Sequence, residues 1–223
     1  MSAGLPLPEQ KNYDVAYGLA LHLAGEKLAS GDIAEICRKS GTVCDASGRA
    51  ITVRYFNRDY RVSFPDFTIT AVDGNGQPEL RDKVLILDYL GRAGGAPLTG
   101  KLIGYQELAE GAAYYPSFIA RAVRPITSYF GRDPEKLVAM AETLDGVRAG
   151  YGDAAVTVHA FSRVPITIIV WRGDDEFPAD SSILFDETVL DYLSPEDINV
   201  VCQSLSWGLV KSLKSVSTHG PEA

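Results

Sequence analysis

Along residues 12–29, apolar side chains recur near helical spacing at Tyr13, Ala16, Ala20, Leu23 and Leu28, with Leu19 and Leu21 added. This predicts a first helix that is apolar over much of its girth and largely buried. Ser30-Gly31-Asp32 breaks it and offers a cap, and Ile33, Ile36 and Cys37 mark a short second helix that Gly41 ends. The period then changes to two. Ile51, Val53 and Tyr55 alternate with Thr52, Arg54 and Phe56, and beyond Asn57-Arg58-Asp59 the alternation resumes at Tyr60, Val62 and Phe64, the pattern of an antiparallel hairpin. Pro65-Asp66 interrupts it, residues 67–72 read as a third strand, and Asp73-Gly74-Asn75-Gly76 turns the chain again.

Leu80, Val84, Leu87 and Leu90 or Gly91 mark a helix that Gly94-Gly95 terminates. Another helix is expected to begin at Pro116, with Phe118, Ile119, Ala122 and Ile126 on one side. Pro125 falls inside it and predicts a kink or break near Arg124, because proline lacks the N–H and its ring clashes with the preceding turn. Asp133 and Pro134 open a further helix, with Leu137, Met140, Ala141 and Leu144 facing inward. Strands return at 154–161 and 166–171, separated by Ser162-Arg163-Val164-Pro165 as a hairpin, and these strands are expected to join the first sheet. Ser194-Pro195-Glu196-Asp197 has the S/T-x-x-D/E pattern of a helix start. The stripe Ile198, Val201, Cys202, Leu205, Leu209 and Leu213 follows, with Lys211 and Lys214 outward. The elements add up to a single α+β domain over residues 1–223. It has an antiparallel sheet of five or more strands, helices packed mainly on one face, and flexible ends at about 1–10 and 216–223.

Composition narrows the partners. With 46% hydrophobic residues in 223, a substantial core is available. A net charge of -8 opposes nucleic acid and anionic membrane surfaces. The apolar run from Val164 to Trp171 is far shorter than the ~20 residues of a spanning helix and reads as a buried strand. The amino terminus lacks a basic region followed by a long apolar run, so a secretory signal is not expected. Three cysteines, Cys37, Cys44 and Cys202, are an odd number without framework spacing. They read as small buried hydrophobes, at least one of them free, in a reducing compartment and hence the cytoplasm. Three thiolates also fall short of the four that an iron–sulfur cluster usually takes.

The segment 98–119 concentrates Gly100, Gly104, Gly111, Tyr105, Tyr114 and Tyr115 ahead of the expected helix start at Pro116 and reads as one wall of a pocket. Flat apolar faces with polar tips suit a planar or macrocyclic organic molecule. Thr99, Gly100, Tyr105, Tyr114, Tyr115, Trp171 and Phe177 are therefore the candidate cofactor-binding residues, although aromatic residues also simply fill cores. His22, His159 and His219 have no nucleophile placed beside them, and no G-x-S-x-G, P-loop or H-E-x-x-H pattern occurs. The acidic stretch Asp174-Asp175-Glu176, Asp180, Asp186, Glu187 and Asp191 lacks the order of a calcium loop and reads mainly as a solvated turn, so no metal is expected. Two alternatives stay open. One is an enzyme using Asp174, Glu176 or Asp186 with a tyrosine for acid/base chemistry; the other is a protein-interaction module carrying an exposed apolar patch on the last helix.

Six short motifs occur in order: Arg61-Val62-Ser63-Phe64-Pro65-Asp66, Pro97-Leu98-Thr99-Gly100, Tyr114-Tyr115-Pro116, Arg163-Val164-Pro165, Glu176-Phe177-Pro178 and Ile183-Leu184-Phe185-Asp186. As a set they resemble the family called domain of unknown function 3786, found mainly in anaerobic bacteria and archaea, over about residues 13–213. The resemblance carries no established activity. Fusions of some members to a cysteine-rich iron–sulfur domain imply corrinoid or low-potential redox metabolism. A corrinoid or haem-like tetrapyrrole is thus the first cofactor expected, with an iron–sulfur protein as partner.

Overall fold

A computed structural model describes residues 10–29 and 31–218. Elements follow in the order α1 (Gln10–Ala29), α2 (Ile33–Ser40), β1 (Val43–Cys44), β2 (Ala50–Tyr55), β3 (Arg58–Ser63), β4 (Ile69–Ala71), α3 (Leu80–Arg92) and β5 (Leu102–Gly104). The rest are α4 (Gly111–Phe118), a π-helical turn (Ile119–Val123), α5 (Arg124–Phe130), α6 (Glu135–Ala141), β6 (Val147–Ala149), β7 (Ala154–Phe161), β8 (Val164–Trp171), β9 (Asp180–Asp186) and α7 (Pro195–Thr218). The one α+β domain expected comprises two compact units. The first holds the described residues up to Val53 with Asp59–Ala93, and the second Arg54–Arg58 with those from Gly94 on. The tail holding His219 and most of the expected flexible ends lie outside the described residues, although Gln10 is helical and α7 continues to Thr218.

In the first unit, Asp32 caps α2 by accepting from the Ala34 N–H at 3.0 Å, and Gly41, at φ 65°, closes the helix in the left-handed conformation that glycine adopts without a Cβ clash. This reversal brings β1 back alongside α2 and sets the Cys37 and Cys44 Cα atoms 6.1 Å apart, within bridging reach, and the two thiols form a disulfide. The reading of Cys37 and Cys44 as small buried hydrophobes is corrected to a bridged pair, of which Cys37 is buried, and the cysteine argument for a reducing compartment falls with it. Cys202 is free and buried. Strands β1 to β4 form an antiparallel sheet in sequential order. Helix α1 is less buried than its leucines suggest. Ala24 and Leu28 are inside, Leu28 against Gly91 of α3, but Leu19 and Leu23 are 60% and 47% exposed.

The second unit carries a separate antiparallel sheet in the order β5-β9-β8-β7-β6, so the later strands do not join the first sheet as expected. The β7–β8 hairpin turns at Ser162-Arg163, and Ile166 lies opposite Val158 on one side and Phe185 on the other. Ile166 to Val170 are buried at every position, which covers both faces of β8. Helix α5 packs on β8 and β9, α6 packs on β7, and α7 packs on α4, α5 and α6. Ser194 and Asp197 close a reciprocal capping box at the start of α7: the Asp197 N–H donates to Ser194 Oγ at 3.2 Å and the Ser194 N–H to Asp197 Oδ2 at 3.1 Å. Among the described residues, no helix is long and apolar enough to cross a membrane.

Candidate functional site

The approach to β5 is a strap held by two carboxylates. Asp191 accepts from the Ala96 N–H at 2.8 Å, and the Gly94 N–H donates to the Asp191 carbonyl at 3.0 Å. Asp186, only 3% exposed at the end of β9, accepts from the N–H groups of Thr99 (3.1 Å), Gly100 (2.7 Å) and Thr188 (3.1 Å). The hydroxyls of Thr188 (2.7 Å) and Thr99 (3.4 Å) add to them. Burial raises the Asp186 pKa, but the Thr188, Gly100 and Thr99 donors outweigh it and hold the carboxyl below its ordinary range. Thr99 and Gly100 thus spend their donors on a buried side chain of their own unit.

The strap delivers Tyr105 into the core. Its ring stacks on Phe118 with centroids 4.1 Å apart and meets Phe185 edge-on at 6.4 Å, and its hydroxyl donates to the Pro195 carbonyl at 2.5 Å. Desolvation pushes the phenol pKa well up, so Tyr105 stays neutral. Helix α4 begins at Gly111, not at Pro116 as expected. A Cβ at Gly111 would lie 2.3 Å from the Tyr105 carbonyl oxygen, which makes glycine the residue that lets this helix start against the strap. Pro116 sits within α4, and Tyr114 and Tyr115 are half-buried. The break expected near Arg124 takes the form of the π-helical turn, in which the Arg124 N–H reaches the Ile119 carbonyl. The Val123 carbonyl accepts from the hydroxyls of Thr127 and Ser181, both at 3.3 Å, and those hydroxyls lie 2.6 Å apart.

Between this turn and β9 lies a pocket of about 220 Å³. Tyr105, Tyr115 and Phe118 form an aromatic side, Ile119 and Val123 the back, and residues 181–184 of β9 the floor, with Gly104, Gln106 and Glu107 at the rim. Glu107 Oε1 accepts from the Gly104 N–H at 2.6 Å. Of the seven residues expected to bind a cofactor, Tyr105 and Tyr115 line this pocket, whereas Thr99, Gly100, Tyr114, Trp171 and Phe177 do not. Trp171 and Phe177 are exposed. Sequence reasoning missed Ser181, Ser182, Thr127 and Glu107. The S-S pair at the head of β9 points to the first two, Pro125 marks the stretch of helix that carries Thr127 beside Ser181, and no pattern in the sequence singles out Glu107.

The carboxylates of the acid/base alternative do not converge with Tyr114 and Tyr115. Asp174 accepts from the N–H groups of Glu176 (2.9 Å) and Phe177 (2.7 Å) in an exposed turn, Glu176 is exposed, and Asp186 is enclosed by the donors of the strap. Trp207 and Val216 are exposed on α7, but nine residues apart they fall on opposite sides of the helix and make no patch. His159 is exposed on β7. Among the described residues, no group of three or more His, Cys, Asp or Glu is placed to hold a metal.

Fold and site define an α+β protein with two antiparallel sheets and a small pocket of mixed polarity beside a π-helical turn. The chain belongs to the family described as domain of unknown function (DUF3786), whose sequence model matches residues 32–207. No curated protein and no solved structure matches it.

Proposed function

We propose that this chain is a binding or accessory protein for a small organic molecule of mixed polarity, seated between the π turn and β9. The observation that carries the reading is the lining itself: a preassembled aromatic side faces the hydroxyl-bearing end of β9 across about 220 Å³. A π turn at that wall adds weight, since such turns gather at functional sites. A corrinoid or haem fits poorly. Organic-ligand sites generally run ~300–1,000 Å³. Among the described residues lining this pocket, none is His, Cys or Met to ligate a metal. The guest we propose is therefore smaller than a tetrapyrrole.

Gly104 supplies the test. It is extended, and a Cβ there meets only Glu107 Oε1, at 3.5 Å, so leucine is accommodated and fills the rim. A fragment screen by thermal shift and calorimetry is expected to yield ligands that bind wild type saturably and lose about tenfold or more in affinity on Gly104→Leu. Ligands that bind both proteins equally, or a screen without saturable binding, would remove the reading. Cobalamin and haem are expected to show no saturable absorbance change.

A further inference from the structure

The first unit contains a second concavity, of about 460 Å³, between α1 and the turn that follows β3. Gly18, His22, Gly25 and Ala29, spaced four, three and four apart, share the face of α1 that floors it. A Cβ at Gly18 meets nothing within 4 Å among the described residues. At Gly25 a Cβ would come within 2.9 Å of Phe67 Cδ2, because the Phe67 ring lies on the helix backbone and walls the groove. Phe64 meets that ring edge-on at 5.2 Å. Leu21 and Pro65 complete the apolar lining.

Among the described residues, the carboxylates that line this apolar bed, Glu26 and Asp66, face no Lys or Arg in its lining. The Thr68 hydroxyl donates to Asp66 and holds its carboxyl below the ordinary range, so the group is anionic at neutral pH. His22 Nε2 lies 3.5 Å from Glu26 Oε1 at the groove's edge.

We propose that this groove is a binding site for a small organic cation, an amine carried on an aromatic or branched apolar body. The ammonium group sits between Glu26 and Asp66, and the body runs from there over Leu21 toward Gly18 along the Phe67 side of the groove, where a cation also gains from the ring's negative face. An anion is repelled, and a neutral analogue of the same shape keeps the apolar contact without the charge pairing. The site does not depend on the pocket of the second unit.

The test uses the full chain, titrated by calorimetry at low salt with 2-phenylethylamine, 2-phenylethanol and phenylacetate. The amine is expected to bind saturably and about fivefold tighter than the alcohol, the range an exposed ion pair supplies, and phenylacetate not at all. Gly18→Leu, whose Cβ meets no described residue and which favours helix over glycine, is expected to lower amine affinity about tenfold or more. Asp66→Asn should bring amine and alcohol together, and Gly104→Leu should leave both unchanged. Equal binding of amine and alcohol to wild type, absence of saturable amine binding, or a Gly18→Leu protein that binds the amine like wild type would each overturn the proposal.

Discussion

Asp186, at the end of β9, and Asp66, in the turn after β3, both have carboxyls held below their ordinary pKa, yet they do opposite things. Asp186 is buried and ringed by N–H and O–H donors from Thr99, Gly100 and Thr188, so its capacity is spent on its own chain. Asp66 is exposed, takes its hydroxyl donor from Thr68, and faces a groove. A saturated carboxylate is architecture, and one that keeps acceptor positions open is available for recognition. The same contrast separates Thr99 and Gly100, which serve the strap, from Ser182 and Tyr115, which face a pocket.

Removing each carboxylate breaks the comparison most directly. Asp186→Ala leaves several buried donors without an acceptor and is expected to cost about 3–4 kcal/mol, read from the urea midpoint, while Asp66→Ala stays within about 0.5 kcal/mol. A small loss at Asp186 would mean that water satisfies the strap equally well. Next in size is the Cys37–Cys44 bridge. Cys44→Ser is expected to lower stability by about 2.5 kcal/mol through the freed chain entropy of a short loop, and a reductant should reproduce the shift in the wild type only.

The smallest effect is a pH dependence at Asp45, a third carboxylate intermediate between the other two. It accepts from the Arg49 N–H at 2.9 Å, from the Arg61 guanidinium at 2.7 Å and from Ser47 and Ala50, and its pKa is lowered from 3.8 to about 2, the Arg49 backbone donor contributing most. A depressed folded-state pKa stabilises the fold above the unfolded value and is lost as protons bind on the way down. Stability should therefore fall between about pH 4 and pH 2, and urea midpoints of Asp45→Asn across that window should slope less steeply.

What was legible in the sequence was local. The hairpins β2–β3 and β7–β8, the Asp32 cap, the Ser194/Asp197 box and the effect of Pro125 all rest on residues within a few positions of one another. The two sheets were not legible, because β5 finds its partner in β9, Leu102 opposite Asp186, with most of the second unit's chain between them. Pro116 misled because proline favours the first helical position, whereas Gly111, which starts the helix, is fitted to a carbonyl that only the folded strap brings near. The disulfide was hidden for a similar reason: a spacing of seven is bridgeable only once Gly41 has reversed the chain. Two of the six motifs, Pro97-Leu98-Thr99-Gly100 and Ile183-Leu184-Phe185-Asp186, turn out to be halves of one clasp closed at Asp186.

The π turn makes length a tuning parameter of the pocket. Excising a single position from Ile119–Val123 and returning the turn to ordinary winding would leave α5 near its present rotation, with Thr127 still beside Ser181, and take one residue out of the back of the pocket without altering any other amino acid.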